Sequence, residues 1–120
     1  VDVVEKKVLK WDGETVSVSD VSGELVEVVE KCREAMVETL GEVDESVVDA
    51  FLECEDYMAV ESSVLKRAIR KATLERQVVP VLCGASFRNI GVQPLLDAVA
   101  MYLPSPVECV QILTVLTLSL

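Results

Sequence analysis

Cys83, Gly84, Ala85, Ser86 and Phe87 form the stretch best placed to do chemistry in this chain of 120 residues. They follow an apolar run over 78–82 and precede Gly91, after which an amphipathic segment runs to Pro104. Strand, loop and helix in that order put the loop at the C-terminal end of a strand, where open α/β sheets bind ligands. A nucleophilic Cys83 would need an activating base. The chain has no histidine, so neither a Cys–His nor a Ser–His pair can form, and Cys83 reads instead as a buried structural thiol. No GxxxxGK[ST] run is present to cradle phosphates. Cys32, Cys54, Cys83 and Cys109 include no CxxC pair, which argues against zinc and dithiol redox work. Three of the four fall at apolar positions of periodic segments, where cysteine behaves as a small buried hydrophobe; that fits a reducing compartment. Carboxylates are abundant but lie on helix faces in every orientation, as surface acids do. These residues describe a ligand-side loop without naming its ligand.

The elements that must hold that loop follow from periodicity. "VDVVEKKVLKWDGETVSVSD" alternates as two short strands around Asp12-Gly13, which suits a hairpin. From Ser22 the period changes to three and four. Leu25, Val28, Val29, Cys32, Ala35, Met36 and Leu40 make one helical face that Gly41 ends. Asp44 can cap a second helix with Val47, Val48, Phe51 and Leu52 on its apolar side. Ser62 can cap a third, carrying Val64, Leu65, Ala68, Ile69 and Ala72. Val78, Val79, Val81 and Leu82 then form a strand. Pro80 removes one ladder donor, so the strand belongs at a sheet edge. Gly84 permits the tight turn after it. Leu95, Leu96, Val99, Tyr102 and Leu103 are the expected buried face of the closing helix, with Pro94 in its first turn.

Charge divides the chain. Residues 20–56 hold thirteen acids against Lys31 and Arg33, a net of −11, within a whole-chain charge of −10. Residues 61–76 hold five bases against Glu61 and Glu75, a net of +3. Two readings stand side by side: solvated helix faces that pair acid with base, or an acidic surface that docks a basic partner. The acidic balance disfavours a general nucleic-acid backbone binder, and no sequence-specific nucleic-acid binding is expected.

The chain opens on Val1 and closes on "CVQILTVLTLSL", so it reads as a piece of something longer. The residues after Pro106 are too few for a membrane span of about 20 and include Glu108. No membrane contact is expected, and no signal or transit peptide is visible.

"RKATLERQVVPVLCGASFRNIGVQPLLDAVAMYLPSP", residues 70–106, resembles the end of the GTPase domain of elongation factor G. That family reads VPV-x-CGSA-[LF]-KN-KGVQ-x-LLDAV-x-YLPSP at this place, a long and specific string. Upstream, "VDVVEKKVLKW" resembles the strand that opens the family's insertion subdomain, and "CREAMVETLGEVDESVVDAFLE" its acidic helices. Together these cover nearly nine-tenths of the chain. "VPVLCG" with "MYLPSP" is most similar to the mitochondrial paralogue that acts in ribosome recycling. The mitochondrial translocase and the bacterial factors stand as alternatives within the family.

The resemblance implies an α/β fold. Residues 77–106 would be the last strand, guanine-base loop and closing helix of a P-loop GTPase domain. Residues 1–76 would be a mostly helical insertion subdomain with a short hairpin, and 107–120 an atypical apolar tail. It also implies a ligand: Ala85, Ser86 and Phe87 would meet a guanine base, with Gly84 supporting the loop. The Ser86 backbone N–H would donate to guanine O6, where adenine presents an amino group. Ala85 replaces the usual serine, Arg88 the usual lysine, and Ile90 another common lysine. The phosphate loop, switches, Mg²⁺ ligands and catalytic histidine of the family have no counterpart here, so GTP and Mg²⁺ would be handled by the parent protein. This stretch contributes no catalytic and no metal-binding residue. The implied partners are the ribosome, its stalk proteins through the acidic helices, and ribosome recycling factor for the recycling paralogue. The implied location is the mitochondrial matrix, or the cytoplasm for a bacterial factor. An acidic interaction module without nucleotide chemistry is the alternative from another class. A translation product that leaves the reading frame near its end is a third.

Overall fold

A computed structural model of the chain describes residues 1–13 and 15–108. The alternating segment folds as expected into a hairpin of β1 (Lys7–Asp12) and β2 (Thr15–Asp20). Its antiparallel register runs from Lys7 opposite Asp20 to Asp12 opposite Thr15. Gly13 opens the turn at a φ of 61°, the left-handed conformation that two-residue hairpin loops demand. The first strand starts later than the alternation suggests. Residues 2–7 close a tight loop instead, in which Asp2 and Lys7 exchange backbone hydrogen bonds of 2.8 and 3.1 Å.

Four helices follow: α1 (Leu25–Gly41), α2 (Glu45–Cys54), α3 (Ser62–Leu74) and α4 (Val92–Tyr102). Asp44 caps α2 as its position predicts, accepting from the Ser46 backbone N–H at 3.1 Å. Ser62 does not cap α3. It is the first helical residue, and its hydroxyl donates to the Val4 carbonyl at 2.7 Å. Gly41 does not end α1 by a left-handed turn either; it is the last helical residue, where a Cβ would meet the Val48 side chain at 3.3 Å. Its small size serves the approach of α2.

The core lies where α3 packs against α1, α2 and α4. Val37, Leu40, Val47, Val60, Leu65, Ala68, Ile69, Ala98 and Tyr102 form one buried cluster. The apolar stripe of α3 is as its period predicts. The face of α1 is rotated from expectation: Val29, Arg33, Val37 and Leu40 are buried, whereas Leu25, Val28, Cys32 and Ala35 are exposed. On α2, Val47 is buried, but Val48 and Leu52 are exposed. On α4 only Ala98 and Tyr102 are buried, whereas Leu95, Leu96, Val99 and Leu103 are open. The reason is common to these cases. Each apolar stripe is broader than the neighbours that cover it: α1 and α2 pack on each other and on α3, and α4 on α3.

The expected edge strand over 78–83 is also different. Among the described residues it pairs with no other strand, and Val79 and Val81 are more than four-fifths exposed, at 83% and 85%. An edge strand needs a sheet beside it, and the only ladder among the described residues is the hairpin. Cys32, Cys54 and Cys83 are free and exposed, which corrects their reading as buried hydrophobes. Cys109 and the rest of the apolar tail, beyond Val107 and Glu108, lie outside the described residues.

Candidate functional site

The stretch singled out by its residue types is a closed loop. Ala85 and Ile90 exchange backbone hydrogen bonds of 2.9 and 3.1 Å, and a single 3₁₀ turn (Ser86–Arg88) spans the gap between them. Arg88 donates to the Ala85 carbonyl at 2.9 Å and Asn89 to that of Ser86 at 3.0 Å. Asn89 ends the turn at a φ of 54°, a left-handed conformation that asparagine tolerates better than most residues. Gly91 then enters α4 at a φ of 79°. Two backbones cross closely at the loop's base. A Cβ on Gly84 would stand 2.9 Å from the Ile90 carbonyl oxygen, and one on Gly91 only 3.1 Å from that of Cys83.

This crossing leaves a shallow notch of about 200 Å³, lined by Leu82, Cys83, Gly84, Ser86 and Ile90 with the start of α4. Drug-sized ligands occupy roughly 300 Å³ or more, so the notch can take an edge of a ring but not a whole nucleotide. Of the residues assigned to base contact only Ser86 lines it, beside Gly84, the residue assigned to loop support. Ala85 spends its N–H and carbonyl on closing the loop, and the Phe87 side chain stands fully in solvent. The Ser86 and Phe87 N–H groups open the 3₁₀ turn and donate to no acceptor among the described residues. The free Ser86 N–H beside an apolar notch suits the carbonyl edge of a planar heterocycle. No group of three or more His, Cys, Asp or Glu among the described residues could hold a metal ion.

A second surface lies between α1 and α2. Val37, Glu38, Gly41, Val48, Phe51 and Tyr57 line an open groove of about 480 Å³. Its floor is the stacked pair Phe51–Tyr57, with ring centroids 4.4 Å apart. Burial pushes the Tyr57 phenol up, and the Glu38 and Glu34 carboxylates push it further. The helix itself is electrostatically awkward there. Glu38 and Glu42 sit at its C-terminal end with no base in the last turn, against the favoured direction of the helix dipole.

Periodicity missed Arg33. Counted there among surface charges, it is completely buried at 0% exposure and donates only to backbone carbonyls. Its Nε reaches Tyr57 at 2.9 Å, and Nη1 reaches Val3 at 2.9 Å and Val4 at 2.8 Å. Nη2 meets the Val60 carbonyl. Burial pushes the guanidinium down from its ordinary value, while the carboxylates of Glu5, Asp2 and Asp56 oppose that shift. A signal was available: Arg33 stands four residues after Val29 and four before Val37, on the buried stripe. No helix among the described residues is long and apolar enough to cross a membrane.

No family model matches the chain. Curated relatives named mitochondrial ribosome-releasing factor 2 match it closely. That of Lodderomyces elongisporus is 54% identical over 117 residues, covering 90% of this chain and 14% of the relative. That of Debaryomyces hansenii is 53% identical over 120 residues, covering 89% and 14%. A crystal structure of a protein from Thermus thermophilus superposes with a TM-score of 0.74 at 30% identity, over 90% of this chain and 16% of that one. The chain thus spans 14% of the length of the curated relatives it matches. With half of its residues identical over nine-tenths of its length, the chain belongs to the elongation factor G family, as a segment similar to ribosome-releasing factor 2.

Proposed function

We propose that this segment supplies the guanine-base loop and the insertion subdomain of a mitochondrial translational GTPase that works in ribosome recycling. The observation that carries this reading is the pairing of close relatives of that name with a loop whose Ser86 N–H is free beside the notch. Residues 77–106 form the loop-bearing end of the GTPase domain, 1–76 the insertion, and 107–120 the tail. Gly84 lets the loop fold back on itself, and the Ser86 N–H meets guanine O6. Ala85 closes the loop from behind, and Phe87 flanks the base. GTP and Mg²⁺ phosphate chemistry belong to other parts of the longer protein, which supply the charge stabilisation that phosphoryl transfer needs. That protein meets the ribosome and ribosome recycling factor in the mitochondrial matrix.

Ser86→Pro in the full-length protein tests the base contact. Proline deletes one N–H and suits the first position of a helical turn. Ala85, at φ −127° and ψ 87°, lies outside the α region that a following proline disfavours. Preference for GTP over ATP should fall while the helices keep their melting temperature. An unchanged preference would overturn the assignment.

The acidic groove supports a second role for the same segment, docking a basic partner on the ribosomal stalk. Glu38 and Glu42 at the C-terminal end of α1 oppose its dipole, and a cationic partner relieves both repulsions. Binding of stalk protein to wild type and to Glu38→Gln/Glu42→Gln, compared at low and high salt, tests it. Equal binding at low salt would leave the acids as a solvated face.

A further inference from the structure

We infer that residues 1–6 form a releasable strap, locked across α1 and α3 by the buried fork of Arg33, whose opening changes the charge presented beside the acidic helix. The strap has almost no apolar anchor. None of its residues 2–6 is buried, and among them only Val4 packs against the core cluster.

Polar groups hold it instead. Arg33 takes the Val3 and Val4 carbonyls, the Ser62 hydroxyl also takes that of Val4, Lys6 reaches the Met58 carbonyl at 2.9 Å, and Glu5 pairs with Lys66. The closed strap also carries strain, since Lys6 sits at a φ of 57° without being glycine. Regions with few buried apolar contacts open locally, at a small fraction of the global unfolding free energy.

Closure is nevertheless cooperative. Two of the four carbonyls that satisfy Arg33 belong to the strap and two, from Tyr57 and Val60, do not. Losing the strap leaves a buried guanidinium half satisfied, so the fork must rehydrate as the strap leaves. Release also separates Glu5 from Lys66. One state therefore hides the Arg33 charge and the other shows it among the acids of α1, while Lys66, partly open in both, loses its acidic partner.

Amide hydrogen exchange on the full-length protein tests this. The Glu5 N–H, bonded to Asp2 Oδ1 at 3.0 Å, and the Lys7 N–H report on the strap, whereas Ile69 and Ala72 report on α3. Lysine cannot span the acceptors that the planar fork reaches. Arg33→Lys should speed exchange at Glu5 and Lys7 by more than about tenfold, as loss of charge-assisted hydrogen bonds implies, and leave Ile69 and Ala72 unchanged. Equal acceleration at all four, or none at the strap, would overturn the inference. Should Arg33→Lys fail to fold, Ser62→Ala decides. It removes one strap bond and should speed strap exchange about fivefold, the equivalent of one net hydrogen bond. No strap-specific change in that variant would overturn the proposal equally.

Discussion

The carbonyl oxygen of Ile90 lies 2.9 Å from the point where a side chain on Gly84 would begin. That oxygen also accepts the Ala85 N–H, so it cannot retreat without opening the pair that closes the 84–91 loop. Gly84→Val should therefore break that pair, at a cost of about 2 kcal/mol for its two backbone bonds. The helices lie outside this change and should keep their melting profile. In the full-length protein guanine-nucleotide affinity should drop, as a titration with fluorescent GTP would show. Equal affinity in mutant and wild type would place the nucleotide elsewhere.

Reversing charge at Glu27, Glu34 and Glu38 should slow association of the full-length factor with ribosomes. All three carboxylates are exposed on α1, so their removal costs the fold little. Electrostatic steering acts mainly on the association rate and fades with salt. Stopped-flow mixing at two ionic strengths would read it. The difference between variant and wild type should shrink at the higher one, and an unchanged rate at low salt would leave only solvated faces.

Acid should loosen the segment after α4 in a window that Glu108 defines. Its carboxylate accepts the Ser105 N–H at 2.6 Å, and its two oxygens meet Arg70 Nη2 at 2.9 and 3.0 Å. Arg70 also holds the Met101 and Leu103 carbonyls at the end of α4. The Ser105 backbone and side chain, followed by Arg70, hold the Glu108 carboxyl at about 2, below its ordinary 4.5. A depressed folded value means that the contact contributes fully above pH 4.5 and is lost as pH falls through about 2. An NMR titration of the Glu108 carboxyl should show this low midpoint, and Arg70→Gln should move it upward. A midpoint near 4.5 in wild type would remove the contact from solution.

The 120-residue chain by itself should not bind GTP measurably. One backbone donor contributes roughly 0.5–1.5 kcal/mol net, whereas micromolar affinity requires about 8 kcal/mol. The open backbone over 78–83 and the bare face of α4 should also make the isolated chain self-associate. Titration with a fluorescent guanine nucleotide, beside light scattering, checks both expectations. Saturable, guanine-selective binding below about 10 μM would contradict the first, and a clean monomer the second.

The hairpin around Gly13, the Asp44 cap and the apolar stripe of α3 were legible in the sequence because local forces decide them. Alternation, a capping carboxylate and a 3.6-residue period each act within a few residues. The closed shape of the 84–91 loop was legible only in part. Gly84 and Gly91 announce a tight turn, but the crossing at Ile90 depends on how Asn89 and the 3₁₀ turn bring the chain back. Burial was decided elsewhere. Leu95, Leu96 and Val99 are as apolar as any core residue, yet α3 covers only Ala98 and Tyr102. The cysteines fail for the same reason, since an apolar position is buried only when another element lies over it. Arg33 is the sharpest case. A charged residue enters a core only when acceptors converge on it, and its four carbonyls come from segments 24 to 30 residues away. The period puts Arg33 on the buried stripe with Val29 and Val37, but only tertiary packing brings together the carbonyls that let a charge stay there.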